Sequence, residues 1–408
     1  MKILDLFAGA GGLSEGFWKE GFDFVGHIEM DSYACETLET RSIYYYLKKT
    51  NNLEDYEAYV KGLVSKESLV KKYKLNEELK KIINAEIDDK NCDILISNMK
   101  KKLGNDDLLG IIGGPPCQAY SNIGRARDKN GMKDDKRNHL YKFYLKFLKE
   151  LKPKFFIFEN VPGLLTAGGG VYLKNMISDM RALGYTVPFP DPVNMADFGI
   201  PQKRKRIIMI GWKKGVDIDI KEVFKKNSPH SLLVNDFLVD LPQLKDGQGD
   251  DISEYIKPSK PLVDLEIRDI SVVIDHIARP HNEQDKEIYR IAVEKYEKEE
   301  RLKYTDLPKR LKTHSNEKSF LDRFKVIEGN MSACHTVVAH ISKDGHHYIH
   351  PDGKQNRSLS IREAARLQTF PDSYKFEGPR TSQFKQIGNA VPPMFSQLLA
   401  KRLKKHFK

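Results

Sequence analysis

Cys117 is the residue around which a reaction can be built. It follows the apolar run Leu108 to Ile112 and the turn Gly113-Gly114-Pro115-Pro116. Prolines fix φ and donate no backbone hydrogen bond, and glycines let the chain bend without a Cβ clash. This spacing holds one thiol rigidly at the carboxyl end of a buried strand, where open α/β sheets do their chemistry. A thiolate so placed suits nucleophilic catalysis, although a free cysteine is more often buried and inert. Two further groups could serve the thiol. Glu159 closes the apolar run Phe155 to Phe158. Gln202, Arg204 and Arg206 alternate before the run Ile207 to Ile210, so on an extended segment they share one face.

Other elements must position these groups. Lys2 to Phe7 reads as a buried strand, Ala8 to Gly12 as a glycine-rich turn, and Leu13 to Glu20 as a helix closed by Gly21. That is the opening of a nucleotide-binding βαβ unit. The next strand, Phe24 to Ile28, ends on Glu29, placed to accept hydrogen bonds from ribose hydroxyls. No lysine follows the glycines to grip a phosphate. Asn84 to Asp88 reads as a further strand end. Ser121 to Asp135 is a polar, basic loop, and Asn138 to Leu151 an amphipathic helix with Leu140, Phe143, Tyr144, Phe147, Leu148 and Leu151 on one face. Residues 41–104 read as lysine- and glutamate-rich surface helices, with Tyr44, Tyr45 and Tyr46 on a solvated face. After Trp212 the α/β rhythm fades into a charged, turn-rich stretch, 213–357, with a helical piece from Asp285 to Tyr304. Ser358 to Phe370 contains a helix ended by Pro371. Gln386 to Pro393 reads as a polar-glycine turn before a basic helix through Phe407.

Composition bounds the partner. The 408 residues carry a formal net charge of +11, with 40% hydrophobic and 31% charged residues. A polyanion such as nucleic acid fits that balance; lysine-rich solvated faces fit it equally. Cys35, Cys92 and Cys334 are widely spaced from one another and from Cys117, and no CxxC exists, so neither a disulfide framework nor a zinc site is expected. The histidines from His335 to His350 match no metal-ligand spacing, and no metal is expected. No long apolar run suggests a membrane span.

The ordered motifs together resemble the C5-cytosine DNA methyltransferases. Asp5-Leu6-Phe7-Ala8-Gly9-Ala10-Gly11-Gly12 is similar to the family's cofactor loop and Gly114-Pro115-Pro116-Cys117-Gln118 to its catalytic loop. Glu159-Asn160-Val161 resembles its acidic segment, Gln202 to Arg206 its QxRxR, Arg362 to Pro371 its ninth motif and Gly388 to Val391 its tenth. The set spans residues 3–393. It departs from the pattern at the insertion 41–83, and Met30 stands where many members have an aromatic or other bulky residue.

The resemblance implies a Rossmann-like, S-adenosylmethionine-dependent α/β domain with a mixed sheet, residues 1–211 and 384–408. A smaller, irregular target-recognition domain and hinge would take 212–383, with the variable part at about 213–357. It implies methyl transfer from S-adenosylmethionine to C5 of a flipped-out cytosine in duplex DNA. Cys117, Glu159, Arg204 and Arg206 would carry the catalysis. Phe7, Gly9, Gly11, Glu29, Met30, Glu86, Ile87, Pro116, Asn389 and Val391 would contact the cofactor, and Gln118, Ser121, Arg125 and Gln202 the DNA. A cytoplasmic monomer acting beside a cognate restriction endonuclease is the expected setting. A tRNA methyltransferase of the same fold would carry a Cys-Phe-Thr signature, which is absent. A silent DNA-binding relative would be expected to lose Cys117, Glu159 or the glycine loop, and all are present.

Overall fold

The computed structural model describes residues 1–116, 140–227, 231–314, 316–317 and 320–407. The first unit runs β1 (Lys2–Leu6), α1 (Gly12–Lys19), β2 (Asp23–Glu29), α2 (Ser32–Lys49), α3 (Leu53–Val60), α4 (Lys66–Tyr73), β3 (Ile82–Asn84), α5 (Cys92–Leu103) and β4 (Gly110–Gly113). It continues through α6 (Leu140–Leu151), β5 (Phe155–Asn160), α7 (Val171–Ala182), β6 (Tyr185–Thr186), β7 (Pro192–Asn194) and β8 (Lys205–Lys213). Strand order is β3-β2-β1-β4-β5-β8-β6, with β7 also on β8. The first five are parallel, and β8 runs antiparallel to β5, β6 and β7. The result is a mixed α/β sheet of Rossmann-like type.

The strands are apolar on both faces because helices cover both, as parallel sheets require. Leu4, Leu6, Ile111, Phe156 and Phe158 point to one layer, with Tyr144, Phe147 and Met176. Ile3, Ile112, Phe155, Ile157 and Ile210 point to the other, with Phe17, Phe395 and Leu399. Alternate residues of one strand thus feed two cores. Tyr144 on α6 fixes the spacing of two strands: its hydroxyl donates to the carbonyl of Ile157 at 2.9 Å and lies 3.2 Å from that of Ile111. The strand order reverses between β1 and β4, which opens a crevice at their carboxyl ends.

Beyond β8, β9 (Gly249–Ser253) and β10 (Val273–Ile277) form an antiparallel pair. The chain continues with α8 (Glu283–Glu297), α9 (Ile361–Leu367), α10 (Arg380–Asn389) and α11 (Pro393–Lys404). Helix α8 ends at Glu297, short of the Tyr304 read from sequence. Of the stretch read as a turn, Gln386 to Pro393, the part Gln386 to Asn389 is the end of α10. That helix is capped by Ala390, whose amide donates to the Ile387 carbonyl, and glycine at 388 is there because a Cβ would overlap the Val338–Ala339 backbone.

The insertion overturns its sequence reading. Tyr44 and Tyr56 are buried, not solvated, and with Ile43, Leu47, Val60, Leu69 and Ile274 they form a satellite core. Tyr45 is partly exposed and donates from its hydroxyl to Glu15 at 2.8 Å. The helices bury these rings because β10 and its approach pack against them: Tyr56 donates to the Ser373 carbonyl at 2.7 Å, and Ser271 to Glu57 at 2.7 Å.

Candidate active site

A cavity of about 330 Å³ lies at the crevice where the strand order reverses. The turn after β1 supplies Phe7, Ala8 and Gly9; Phe7 takes φ 57° and Gly9 φ 55°. Glu29 ends β2 and ties this turn down. One carboxylate oxygen accepts the Gly9 amide at 2.8 Å, and the other accepts those of Met30 and Asp31 at 2.9 Å each. Burial pushes the Glu29 carboxyl up, while the amides of Asp31, Gly9 and Met30 pull it back. Asp5 lines the same cavity. Its Oδ2 accepts the Ser14 hydroxyl, whereas the buried Oδ1 has no donor among the described residues.

The other wall comes from β4, β5 and β8. Gly113 and Gly114 press so close to their neighbours that a Cβ would overlap the Leu6 and Glu159 carbonyls respectively. Asn160 clips the turn in place by donating to the Pro115 carbonyl at 3.3 Å. Pro115 and Pro116 therefore line the cavity on the same wall as Glu159. Arg206 Nε lies 2.9 Å from Glu159 Oε1, and both line it. Among the predicted residues, the cavity gathers Phe7, Gly9, Glu29, Met30, Glu86, Ile87, Pro116, Glu159, Arg206, Asn389 and Val391. Met30 and Asn389 are exposed, and Ile87 and Val391 buried.

Three predicted residues stand elsewhere. Gly11 sits behind the wall, where a Cβ would lie 2.7 Å from Leu38 and 3.0 Å from the Tyr374 hydroxyl. Arg204 is fully buried and donates to the carbonyls of Val337 at 2.9 Å and Gly388 at 3.1 Å. Gln202 is fully buried too. It donates to the Leu367 carbonyl at 2.8 Å and accepts the Val337 amide at 3.2 Å, so it cannot reach DNA in this arrangement. The alternation holds, with Lys203 and Lys205 exposed. What it could not reveal is that the shared face of 202 and 204 is covered by α9, α10 and residues 337–338. Cys117, Gln118, Ser121 and Arg125 lie outside the described residues, as does the whole of the basic loop 121–135.

Sequence reasoning missed Asp5, Asp31, Lys385 and Gln386 as lining residues. Asp5 was visible as an acid at a strand end. Lys385 and Gln386 were not, because their helix was read as a turn.

The residues present fit a cationic, adenine-bearing group: an orphaned buried acceptor, a second carboxylate at a strand end, and apolar walls. The histidines of the second region are engaged elsewhere. His276 pairs with Ser360 at 2.9 Å and the Pro242 carbonyl at 2.8 Å, and His346 with Tyr289 at 2.7 Å.

Comparison with known proteins places this geometry. The family profile "C-5 cytosine-specific DNA methylase" matches residues 1–57 and 60–405. A type II methyltransferase of Bacillus paralicheniformis, M.Bpa9945I, is 43% identical over 99% of this chain and 98% of its own. The type II methyltransferase M.DdeI of Desulfomicrobium norvegicum is 29% identical over 100% of this chain and 89% of its own. A solved E. coli prophage-encoded protein, described as a DNA modification methyltransferase, superposes with a TM-score of 0.67 at 25% identity, covering 100% of this chain and 99% of that one.

Proposed function

The chain belongs to the C-5 cytosine-specific DNA methylase family, and from that premise we propose that it methylates a cytosine in a specific duplex sequence by covalent catalysis through Cys117. It is a DNA cytosine-5-methyltransferase of restriction–modification type. The observation that supports the mechanism is the Glu159–Arg206 pair sharing one cavity with Pro116, the residue before Cys117, and with the glycine turn.

Cytosine C5 is a weak nucleophile. The Cys117 thiolate adds to C6, and the ring's electron pair moves toward C5. Glu159 holds N3 and shares a proton with it, which offsets the charge that addition puts on the ring. Arg206 fixes the Glu159 carboxylate and leaves its other oxygen for the base. S-adenosylmethionine, when bound, supplies the electrophilic methyl that C5 takes; Glu29, Asp5, Phe7, Met30, Ile87, Asn389 and Val391 would hold it. A water then removes the C5 proton, the C5–C6 double bond re-forms, and the thiolate leaves. A base inside a duplex is out of reach of such a crevice, so the cytosine must be extruded into it.

Arg204 acts in this proposal as a strut. Residues 212–383 carry target recognition and the hinge, and 1–211 with 384–408 the chemistry. The enzyme works as a monomer on DNA in the cytoplasm, alongside a cognate endonuclease. No helix among the described residues is long and apolar enough to cross a membrane.

The test uses labelled S-adenosylmethionine and duplex DNA carrying 5-fluorocytosine, which cannot lose its C5 substituent as a proton. A covalent adduct that disappears with Cys117→Ser is the expected result. An adduct that persists in that variant, or methyl transfer to RNA alone, overturns the reading.

A further inference from the structure

Five carboxylates line the main cavity: Asp5, Glu29, Asp31, Glu86 and Glu159. Among the described lining residues two cations stand with them, Arg206 and Lys385. Arg206 is engaged by Glu159, its Nε 2.9 Å from Oε1. Lys385 is exposed and makes no ion pair or side-chain hydrogen bond among the described residues. Its place on the wall is fixed from behind. Lys385 lies on α10 one turn before Asn389, and both line the cavity. Between them, Gln386 anchors α10 to α2 and to the chain before it: it accepts the Thr37 hydroxyl at 2.8 Å and donates to the Glu377 carbonyl at 2.9 Å. The same wall continues through Ala390 to Val391 and abuts the glycine turn, where a Cβ on Gly12 would overlap the Val391 carbonyl.

S-adenosylmethionine has two positive groups, a sulfonium and an ammonium, and one negative group, a carboxylate. An acid-lined cavity suits the first two and repels the third. The carboxylate is held there only beside a cation. Glu29, at the end of β2, is placed for the ribose, and Glu159 for the base that takes the methyl. The amino-acid arm is then left to the glycine turn and α10, where Lys385 stands. We propose that Lys385 pairs with the carboxylate of the cofactor, and thereby sets the direction in which the amino-acid arm lies. This role rests on the S-adenosylmethionine-dependent function proposed above. Lys385 is on this reading a positioning residue: it touches no atom that reacts.

The test is calorimetric binding, without DNA, of S-adenosylmethionine and of decarboxylated S-adenosylmethionine, which differ only in the carboxylate. The two ligands and the wild type and Lys385→Gln proteins form a cycle that isolates the pairing. Lys385→Gln should weaken S-adenosylmethionine by about 10-fold and leave the decarboxylated analogue at its wild-type affinity. Lys385→Arg keeps the charge and should keep most of the binding. Equal loss for the two ligands overturns the proposal, because Lys385 would then shape the site without meeting the carboxylate. Undiminished binding of S-adenosylmethionine by Lys385→Gln overturns it too, and a loss confined to duplex binding in that variant would assign Lys385 to a DNA phosphate instead. Should Lys385→Gln fold poorly in thermal melting, Lys385→Ala repeats the comparison. If the wild type binds neither ligand, the function proposed above fails, and the role of Lys385 with it.

Discussion

Arg206 holds Glu159 through its Nε, 2.9 Å from Oε1, and both side chains are largely shielded from solvent at the cavity wall. A carboxylate on a short side chain still rotates. The ion pair, together with the Gly114 turn pressed on the Glu159 backbone, removes that freedom and keeps the second oxygen beside Gly114 at the cavity wall.

From this geometry, Glu159→Gln should lower kcat by about 10²- to 10⁴-fold, the usual worth of a positioned acid–base group. Cofactor affinity, measured by calorimetry, should stay near the wild-type value. Arg206→Lys keeps the charge but loses the planar fork. It should cost about 10²-fold in kcat by misplacing Glu159, again with cofactor binding spared. Equal loss of binding and turnover would show that the pair is merely structural.

Arg204 and Gln202 predict the opposite pattern. Arg204→Met leaves the carbonyls of Val337 and Gly388 without a charged donor, and should cost about 2–3 kcal/mol of stability. Gln202→Leu should behave similarly. Denaturant unfolding would show it, while kcat of the folded fraction changes little. A fully stable Arg204→Met enzyme with no activity would return Arg204 to the chemistry.

The strongest brace on the cofactor turn comes from the inserted segment. Arg41 donates to both oxygens of Glu15, at 2.6 and 2.7 Å, and to the Ser373 hydroxyl at 2.9 Å. Next to it, the Tyr374 hydroxyl donates to the Ala10 carbonyl. Arg41→Met strands a buried carboxylate and should destabilise by about 3–5 kcal/mol. The double variant Arg41→Met/Glu15→Gln should recover most of that loss in thermal melting. A double variant no better than the single one would mean that packing on Tyr44, not charge, is what Arg41 supplies.

Gly11 tests the turn itself. At φ 80°, with Leu38 where a Cβ would go, Gly11→Ala should cost about 1–3 kcal/mol and weaken cofactor binding. Gly9 also has positive φ but open space around it. Gly9→Ala should cost only about 1 kcal/mol. Reversed magnitudes would contradict the packing described.

His350 sets a pH limit. Burial pushes its pKa down to about 4; Glu363 opposes this and Arg357 adds to it. The folded state thus disfavours the charged ring. The unfolded chain binds the proton near 6.5, so it gains protons before the native state does as pH falls. Stability from this group is complete above about 6.5 and is lost between 6.5 and 4, on the order of 3 kcal/mol in all. His350→Gln should flatten the unfolding free energy over that window. An unaltered slope would assign the acid sensitivity to other groups.

The sequence by itself determined the strand ends and what they carry. Short apolar runs stopping at glycine, proline or an acid can be read locally, because turn chemistry and strand alternation act over a few residues. That sufficed for the Asp5 to Gly12 turn, for Glu29 and for Glu159, and the motif resemblance supplied Arg206, Asn389 and Val391. Only the tertiary structure decided which side of each element is covered. Gln202 and Arg204 alternate with Arg206 as the spacing required, yet α9 and α10, more than 150 residues further on, bury the first two and leave Arg206 at the cavity. Tyr44 and Tyr56 look like surface residues in a lysine-rich stretch, and the segment around residues 269–274 turns them into a core. Burial depends on partners distant in the chain, and no local pattern encodes them.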